Sequence, residues 1–165
     1  MALFMNYYAM KTFKAFAILL LLVMSSTLAV NAQVTDTAQL QQMIDSSNFI
    51  FKARSAQAQG GASRVLTDEY DLKVNRNEVV SFLPYYGRAY SISPGEDGGI
   101  KFTSTDFKYT PEKTKNGWRI MIIPRDAKDI TQLYLDVSTG GYATLQVTSN
   151  NRQAISYYGV IEKDK

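Results

Sequence analysis

The sequence of 165 residues contains no cysteine and no histidine. Ser-His-Asp and Cys-His catalytic arrangements are therefore impossible, and so are ordinary zinc sites. No disulfide can form, so the fold must be stabilised by packing alone. The missing cysteine also excludes a lipid anchor, which needs a cysteine at the processing site. We expect no metal, no cofactor and no enzymatic activity, although a serine-lysine or carboxylate pair could still be assembled from the residues present.

One uncharged apolar run, from Ala15 to Val30, lies close to the N-terminus. Lys11 and Lys14 precede this run, and the small residues Val30 and Ala32 end it at the spacing that signal peptidase reads. Serine and threonine interrupt the run, which is shorter than the roughly 20 apolar residues of a membrane span. The pattern therefore predicts a cleaved signal peptide rather than a retained membrane anchor.

Residues 1–32 are interpreted as this signal peptide, with Met10 as a normal translation start, and cleavage is predicted before Gln33. The mature chain, residues 33–165, has the length of one domain. We expect it to be exported to the periplasm or the cell exterior, with no lipid anchor and no membrane span.

Charge argues against binding to nucleic acid. Removing the signal peptide lowers the net charge from +3 to +1, because that segment carries two lysines and no acidic residue. No basic stripe remains for a phosphate backbone.

Asp68, Glu69 and Asp71, or Glu96 and Asp97, could supply oxygen ligands to calcium, but neither set has the register of a known calcium loop. We interpret both sets as solvated strand ends and turns.

The mature chain predicts one short helix followed by many strands. Leu40, Met43 and Ile44 give Thr37–Asp45 one apolar face at helical spacing. After Asn48 the apolar residues alternate, which is typical of strands. The strands predicted from this alternation are Phe49–Arg54, Tyr70–Val74, Val79–Leu83, Arg88–Ser93, Ile100–Thr103, Phe107–Thr110, Trp118–Ile123, Leu133–Val137, Tyr142–Thr148 and Ala154–Ile161.

The predicted fold is α+β and mainly β: a short N-terminal helix packed on a twisted antiparallel sheet of about eight to ten strands. This sheet could curl into a partial barrel. Asn116-Gly117 gives the clearest hairpin signal, since both residues tolerate the positive φ of a type I′ turn. In Tyr157-Tyr158 one ring should lie on each face of a strand, one in the core and one at the surface.

Three segments carry a distinctive sequence: Leu83–Tyr90 (LPYYGRAY), Ile100–Ser104 (IKFTS) and Gly141–Gln153 (GYATLQVTSNNRQ). Together they resemble an uncharacterised exported family of Bacteroidota, classed as a domain of unknown function. The resemblance covers nearly the whole mature chain. It implies a compartment and a lineage, but no activity, substrate or catalytic residue.

The first candidate binding residues are Tyr85, Tyr86, Arg88 and Tyr90. Tyrosine and arginine are frequent at binding hot spots, because each combines a large contact area with a polar end. The alternative interpretation, which we favour, is a corner between strands, with the tyrosines packed on the sheet and Arg88 paired to an acidic residue.

Asn151 and Arg152 are further candidates, because an amide and a guanidinium at a turn suit sugars, peptides or carboxylates. Asparagine is also favoured in turns for backbone reasons. We expect a non-enzymatic binding or accessory protein of the cell envelope, whose partner is an envelope protein, a peptide or a small ligand. The alternative is a small-ligand carrier with a pocket inside a curled, lipocalin-like sheet, and an enzyme ranks third.

Overall fold

The computed structural model describes residues 37–90 and 98–164. They belong to a compact unit that spans Thr35–Lys165. The predicted signal peptide and its cleavage site lie outside the described residues. One helix is followed by nine strands: α1 (Thr37–Asp45), β1 (Phe49–Ala58), β2 (Arg64–Val74), β3 (Val79–Leu83), β4 (Ile100–Ser104), β5 (Phe107–Thr114), β6 (Gly117–Pro124), β7 (Ile130–Ser138), β8 (Tyr142–Ser149) and β9 (Ile155–Glu162).

Helix α1 has the predicted bounds, and its apolar face is buried in the core. The helix is followed by Ser47, which has a positive φ of 52°. The amide of Asn48 donates to the carbonyl of Met43 (2.9 Å), and the amide of Ser47 donates to that of Ile44 (3.1 Å). These two bonds form a Schellman motif, which satisfies carbonyl groups left unpaired at a helix end.

The nine strands form one sheet in the order β4-β3-β2-β1-β9-β8-β7-β6-β5. Every neighbouring pair is antiparallel. The edge strands β4 and β5 are consecutive in the chain and are joined by Thr105 and Asp106. Both edges therefore meet at one short turn, and the sheet is a nearly closed barrel. The predicted mainly β fold with one short helix is confirmed.

The turn between the two edge strands is held by Asp126, which follows β6. Its carboxylate accepts hydrogen bonds from the Ser104 hydroxyl and from the backbone amides of Thr105 and Asp106. These bonds favour the charged form and hold the pKa of Asp126 at about 2. A charged side chain on a neighbouring loop thus fixes the point where the sheet comes closest to closing.

The inside of the sheet is filled by side chains. The largest fully buried ones come from α1 and from strands on both sides of the barrel: Tyr157, Phe49, Phe51, Leu40, Ile44, Leu72, Leu83, Ile120, Ile122, Leu133, Leu135 and Leu145. This packing makes the interior a core, and it gives no support to the carrier alternative.

Helix α1 is tied to two parts of the sheet that are distant in strand order. The Tyr109 hydroxyl on β5 donates to the carbonyl of Ile44 (2.8 Å), and Arg76 Nε in the β2–β3 turn donates to that of Ser46 (3.3 Å). Burial raises the pKa of Tyr109 above its ordinary range. Within the described residues, no helix is long and apolar enough to span a membrane.

The predicted hairpin at Asn116-Gly117 exists, but the predicted turn type is wrong. Thr114 pairs with Gly117, so the loop residues are Lys115 and Asn116, and neither has a positive φ. Gly117 has a φ of 151° and is the first residue of β6. A Cβ at this position would collide with the carbonyl oxygen of Val137 on β7. Glycine is needed here for the close approach of two strands rather than for a type I′ turn.

Candidate recognition surface

After β3 the chain leaves the sheet and folds against the loop between β8 and β9. Ala89 forms a single antiparallel bridge with Arg152. The amide of Tyr90 donates to the carbonyl of Asn151 (2.8 Å), and the amide of Gln153 donates to that of Arg88 (3.0 Å). The two groups of candidate residues, which are far apart in sequence, are therefore adjacent in space.

We call this arrangement, residues 84–90 and 150–153, the clamp. The predicted strand at Arg88–Ser93 is wrong for its described part, Arg88 to Tyr90, which belongs to none of the nine strands. These residues pair with a loop instead of joining the sheet. Residues 91–93 of that prediction lie outside the described residues.

Tyr85 occupies the centre of the clamp. Its hydroxyl lies 2.8 Å from the carbonyl oxygen of Arg88 and 2.9 Å from that of Gln153. A Cβ at Gly87 would overlap the ring and hydroxyl of Tyr85, so glycine allows the chain to fold over this side chain. Burial raises the pKa of Tyr85. Tyr85 therefore matches the structural interpretation of this segment, a corner fixed by a tyrosine.

Tyr157 holds the start of the clamp from the core side. This residue of β9 is fully buried, and its hydroxyl donates to the carbonyl of Pro84 (2.5 Å). Burial raises the pKa of Tyr157 above its ordinary range. The neighbouring Tyr158 is 43% exposed on the opposite face. The prediction that one ring lies in the core and the other at the surface is confirmed.

Arg152 and Asn151 are used within the protein. The Arg152 side chain is buried, and its Nη1 donates to the carbonyls of Gly98 (3.0 Å) and Gly99 (2.8 Å). Its guanidinium also lies over the ring of Tyr85, 5.4 Å from the ring centroid. The Asn151 amide donates to the Asp129 carboxylate (3.0 Å). Both side chains thus hold loops together, which leaves them little capacity for an external ligand.

Tyr86, Arg88 and Tyr90 point outward from the same segment. Tyr86 is 42% exposed, Tyr90 is 75% exposed and Arg88 is also exposed. Within the described part of the chain, Arg88 has no acidic partner for its guanidinium. The expectation that it pairs with an acid is therefore wrong for these residues. The six candidate residues divide into three that stabilise the clamp and three that face solvent.

Further exposed rings beside Tyr86 extend this outward face. Phe82 on β3 is 44% exposed and stacks on Tyr70 of β2, with the ring centroids 5.7 Å apart. Lys101 Nζ lies 4.7 Å from the Phe82 centroid, and the Arg64 guanidinium lies 5.1 Å from that of Tyr86. We call these five residues, Arg64, Tyr70, Phe82, Tyr86 and Lys101, the aromatic surface.

Phe82 is not among the six candidate residues, although the sequence carries a signal for its exposure. Val79, Ser81 and Leu83 alternate with it and are buried, which places Phe82 on the outer face. In the sheet Phe82 lies between Asp71 of β2 and Lys101 of β4. Local alternation could have found Phe82, but its proximity to Tyr70 depends on the register of the hairpin.

Comparison with known proteins supports the resemblance stated above. The family model described as a domain of unknown function, DUF4251, matches residues 31–161. The chain belongs to the DUF4251 family. A crystal structure of a DUF4251 family protein from Bacteroides eggerthii superposes with a TM-score of 0.54 at 17% identity, covering 79% of this chain and 89% of that one. No curated protein matches the sequence.

The aromatic surface of this DUF4251 protein has a simple side-chain composition. Its groups are aromatic rings, an arginine and a lysine. Among the described residues, no group of three or more acidic side chains comes close enough to hold a metal ion. The arrangement can offer apolar area, stacking and positive charge to another molecule.

Proposed function

We propose that this DUF4251 protein is an exported, non-enzymatic binding protein of the cell envelope that recognises a partner protein through its aromatic surface. The observation that carries the proposal is the exposure of two rings of the aromatic surface. Phe82 and Tyr86 remain 44% and 42% exposed although a cation lies over each of them. Export is supported by the predicted signal peptide at residues 1–32.

Exposed rings with cations beside them match the composition of protein-binding hot spots. Tyrosine and arginine are enriched there, and a rigid ring buries much area while losing little side-chain entropy. The cations Arg64 and Lys101 and the acidic residues Asp68 and Asp71 lie on or beside this surface. Charged residues of both signs around apolar contacts favour a partner whose charges are complementary to them.

A partner protein is favoured over a ligand carried inside the sheet. The barrel interior is occupied by buried core side chains, whereas a carrier needs an enclosed space for its ligand. Because the interior is filled, a partner would bind to the outer surface of the molecule.

The proposal is tested by purifying the tagged protein from the envelope of its native host and identifying co-purifying proteins by mass spectrometry. We compare the wild type with a Phe82→Ala/Tyr86→Ala variant. Tyr142→Ala is the matched control, because Tyr142 is 68% exposed on β8, outside the aromatic surface.

A specific partner should be recovered with the wild type and the control, and its purified form should bind the double variant at least about 30-fold more weakly, as expected for a hot spot of roughly 2 kcal/mol. Equal affinity for the wild type and the double variant would place recognition elsewhere. If Tyr142→Ala weakened binding of the partner as much as the double variant does, the aromatic surface would also be excluded as the specific site.

A further inference from the structure

A concave region lies on the outer face of the sheet, outside the clamp and the aromatic surface. We call it the groove. It has a volume of about 590 Å³, which is within the range of small-ligand sites. Its lining includes one row of side chains that crosses five strands in register, from β6 through β7, β8 and β9 to β1: Arg119, Asp136, Thr144, Tyr158 and Ser55.

The groove lies where the sheet is irregular. Ala53 pairs with Gly159 and Ser55 pairs with Tyr158, so Arg54 is an extra residue in β1. Such a bulge redirects a side chain, and bulges are frequent beside functional sites. Arg54 is exposed in the groove and has no ion-pair partner among the residues that the structure describes.

Arg119 and Asp136 add a fixed donor and acceptor. Arg119 Nε donates to Asp136 Oδ1 at 2.8 Å, and about half of each side chain is exposed. The pair holds the two side chains in a fixed relative orientation, with their remaining polar atoms facing the groove. In the described residues, the two Nη atoms of Arg119 and Oδ2 of Asp136 form no hydrogen bond, and they remain available to a ligand.

Two tyrosines supply flat apolar surfaces in the same groove. Tyr142 at the start of β8 is 68% exposed, and Tyr158 on β9 is 43% exposed. Around them the polar groups are hydroxyls and an amide from Thr114, Asn116 and Ser138. The groove thus combines aromatic rings with many neutral hydrogen-bonding groups and the guanidinium of Arg54, whereas Arg119 lies between two acidic residues, Asp136 on β7 and Glu112 on β5.

We propose that this groove binds a saccharide that carries a carboxylate. A pyranose ring has a flat C–H face that can stack on tyrosine, and its neighbouring hydroxyls both donate and accept, as the Arg119–Asp136 pair does. The carboxylate is placed beside Arg54, whose guanidinium matches it with two parallel donors.

The strand order disfavours an extended peptide as the ligand. A peptide that adds to a sheet pairs with the free backbone of an edge strand. The row of side chains across the groove lies on β1, β9, β8, β7 and β6, and each of these has a strand on both sides. Thr114 is the one lining residue on the edge strand β5, at its last position beside the hairpin turn. The backbone groups of the other five strands are already paired, so recognition must come from side chains, which suits a compact ligand rich in hydroxyls.

The test uses a microarray of neutral oligosaccharides and oligosaccharides that contain uronic or sialic acid, with poly-L-glutamate as an anion without sugar. The wild type should bind carboxylate-bearing oligosaccharides at least tenfold more strongly than neutral ones and more strongly than poly-L-glutamate. Tyr142→Ala should reduce all oligosaccharide binding at least tenfold. Arg54→Gln should reduce binding of acidic oligosaccharides and leave neutral ones unchanged.

Tyr90→Ala is the matched control, because Tyr90 is 75% exposed and lies outside the groove. This variant should bind the oligosaccharides as strongly as the wild type does. Circular dichroism of each variant identifies any that fail to fold, and Tyr142→Phe, which keeps the ring, should retain binding. The proposal is overturned if no oligosaccharide binds, if poly-L-glutamate binds equally well, or if folded Tyr142→Ala and Arg54→Gln variants bind like the wild type.

Discussion

The clamp and the aromatic surface share one segment of chain, and they use the same residue types in opposite ways. In the clamp, the hydroxyls of Tyr85 and Tyr157 reach backbone carbonyls, and the guanidinium of Arg152 reaches two more. In the aromatic surface, the ring of Tyr86 is half open to solvent, and Arg64 covers only its face.

The difference follows from what the backbone needs at each place. The clamp is made of loops, whose carbonyls lack the regular hydrogen-bond donors that a sheet supplies. Long side chains with a polar end, such as Tyr85 and Arg152, supply these donors. The strands below the aromatic surface already pair with one another. Their carbonyls therefore do not need hydrogen bonds from Phe82 or the side chains around it. A tyrosine or arginine indicates binding only where its contacts within the protein leave it exposed.

The largest difference in stability between a buried and an exposed tyrosine is expected at two adjacent residues of β9. Tyr157→Ala should lower the free energy of unfolding by about 3 to 5 kcal/mol, because it removes a fully buried ring and the donor to Pro84. Tyr158→Ala should cost less than about 1 kcal/mol, since that ring is partly exposed on the opposite face. Urea unfolding measures both values, and similar losses would mean that the two faces of β9 have been misassigned.

A smaller difference is expected between Tyr85 and Tyr86. Tyr85→Ala should destabilise the protein by about 2 kcal/mol, because it removes a half-buried ring and the hydroxyl that contacts two carbonyls. Tyr86→Ala should cost about 0.5 kcal/mol, the ordinary effect of an exposed substitution. Thermal and urea unfolding of the two variants give the comparison, and a larger loss at Tyr86 would reverse the roles assigned here.

A third effect appears only at high pH. Burial raises the pKa of Tyr85 and Tyr157 in the folded state, whereas both ionise near pH 10 in the unfolded chain. Their contribution to stability is therefore complete below pH 10 and is lost as the pH rises further. The free energy of unfolding should fall above pH 10, and Tyr157→Phe should make this fall shallower. If the free energy of unfolding of Tyr157→Phe fell with pH as steeply as that of the wild type, the Tyr157 hydroxyl would not be buried as described.

The smallest effect is expected at Arg88. This side chain is exposed and has no ion-pair partner among the described residues, so Arg88→Ala should change the free energy of unfolding by no more than about 0.5 kcal/mol. A loss well above 1 kcal/mol in urea unfolding would show that Arg88 stabilises the clamp like Arg152.

Local patterns in the sequence were enough to predict the helix and most strands. The spacing of Leu40, Met43 and Ile44 predicted α1, and alternation predicted the strands because each buries one face. The turn at Asn116-Gly117 was misassigned because the need for Gly117 comes from Val137 on another strand. Such a need depends on a long-range contact, which the residues near Gly117 do not encode.

The candidate site was predictable only in part, for the same reason. The sequence singled out Tyr85 and Tyr86 together, but Tyr85 turns inward onto the β8–β9 loop, which is distant in sequence. The aromatic surface is assembled by the pairing of the consecutive strands β2, β3 and β4, and the groove combines β1 with strands from the other end of the chain. Phe82 becomes a neighbour of Tyr70 through the β2–β3 register, and no local motif marks that contact.

The most direct test of the recognition surface is hydrogen–deuterium exchange on the complex with the co-purified partner protein. We expect slower exchange in the β2–β3 hairpin, Arg64–Leu83, and in the clamp segment, residues 84–90. Exchange around Tyr142 on β8 should not change. Protection confined to β7 and β8, with none in the β2–β3 hairpin, would contradict the claim that the aromatic surface recognises the partner.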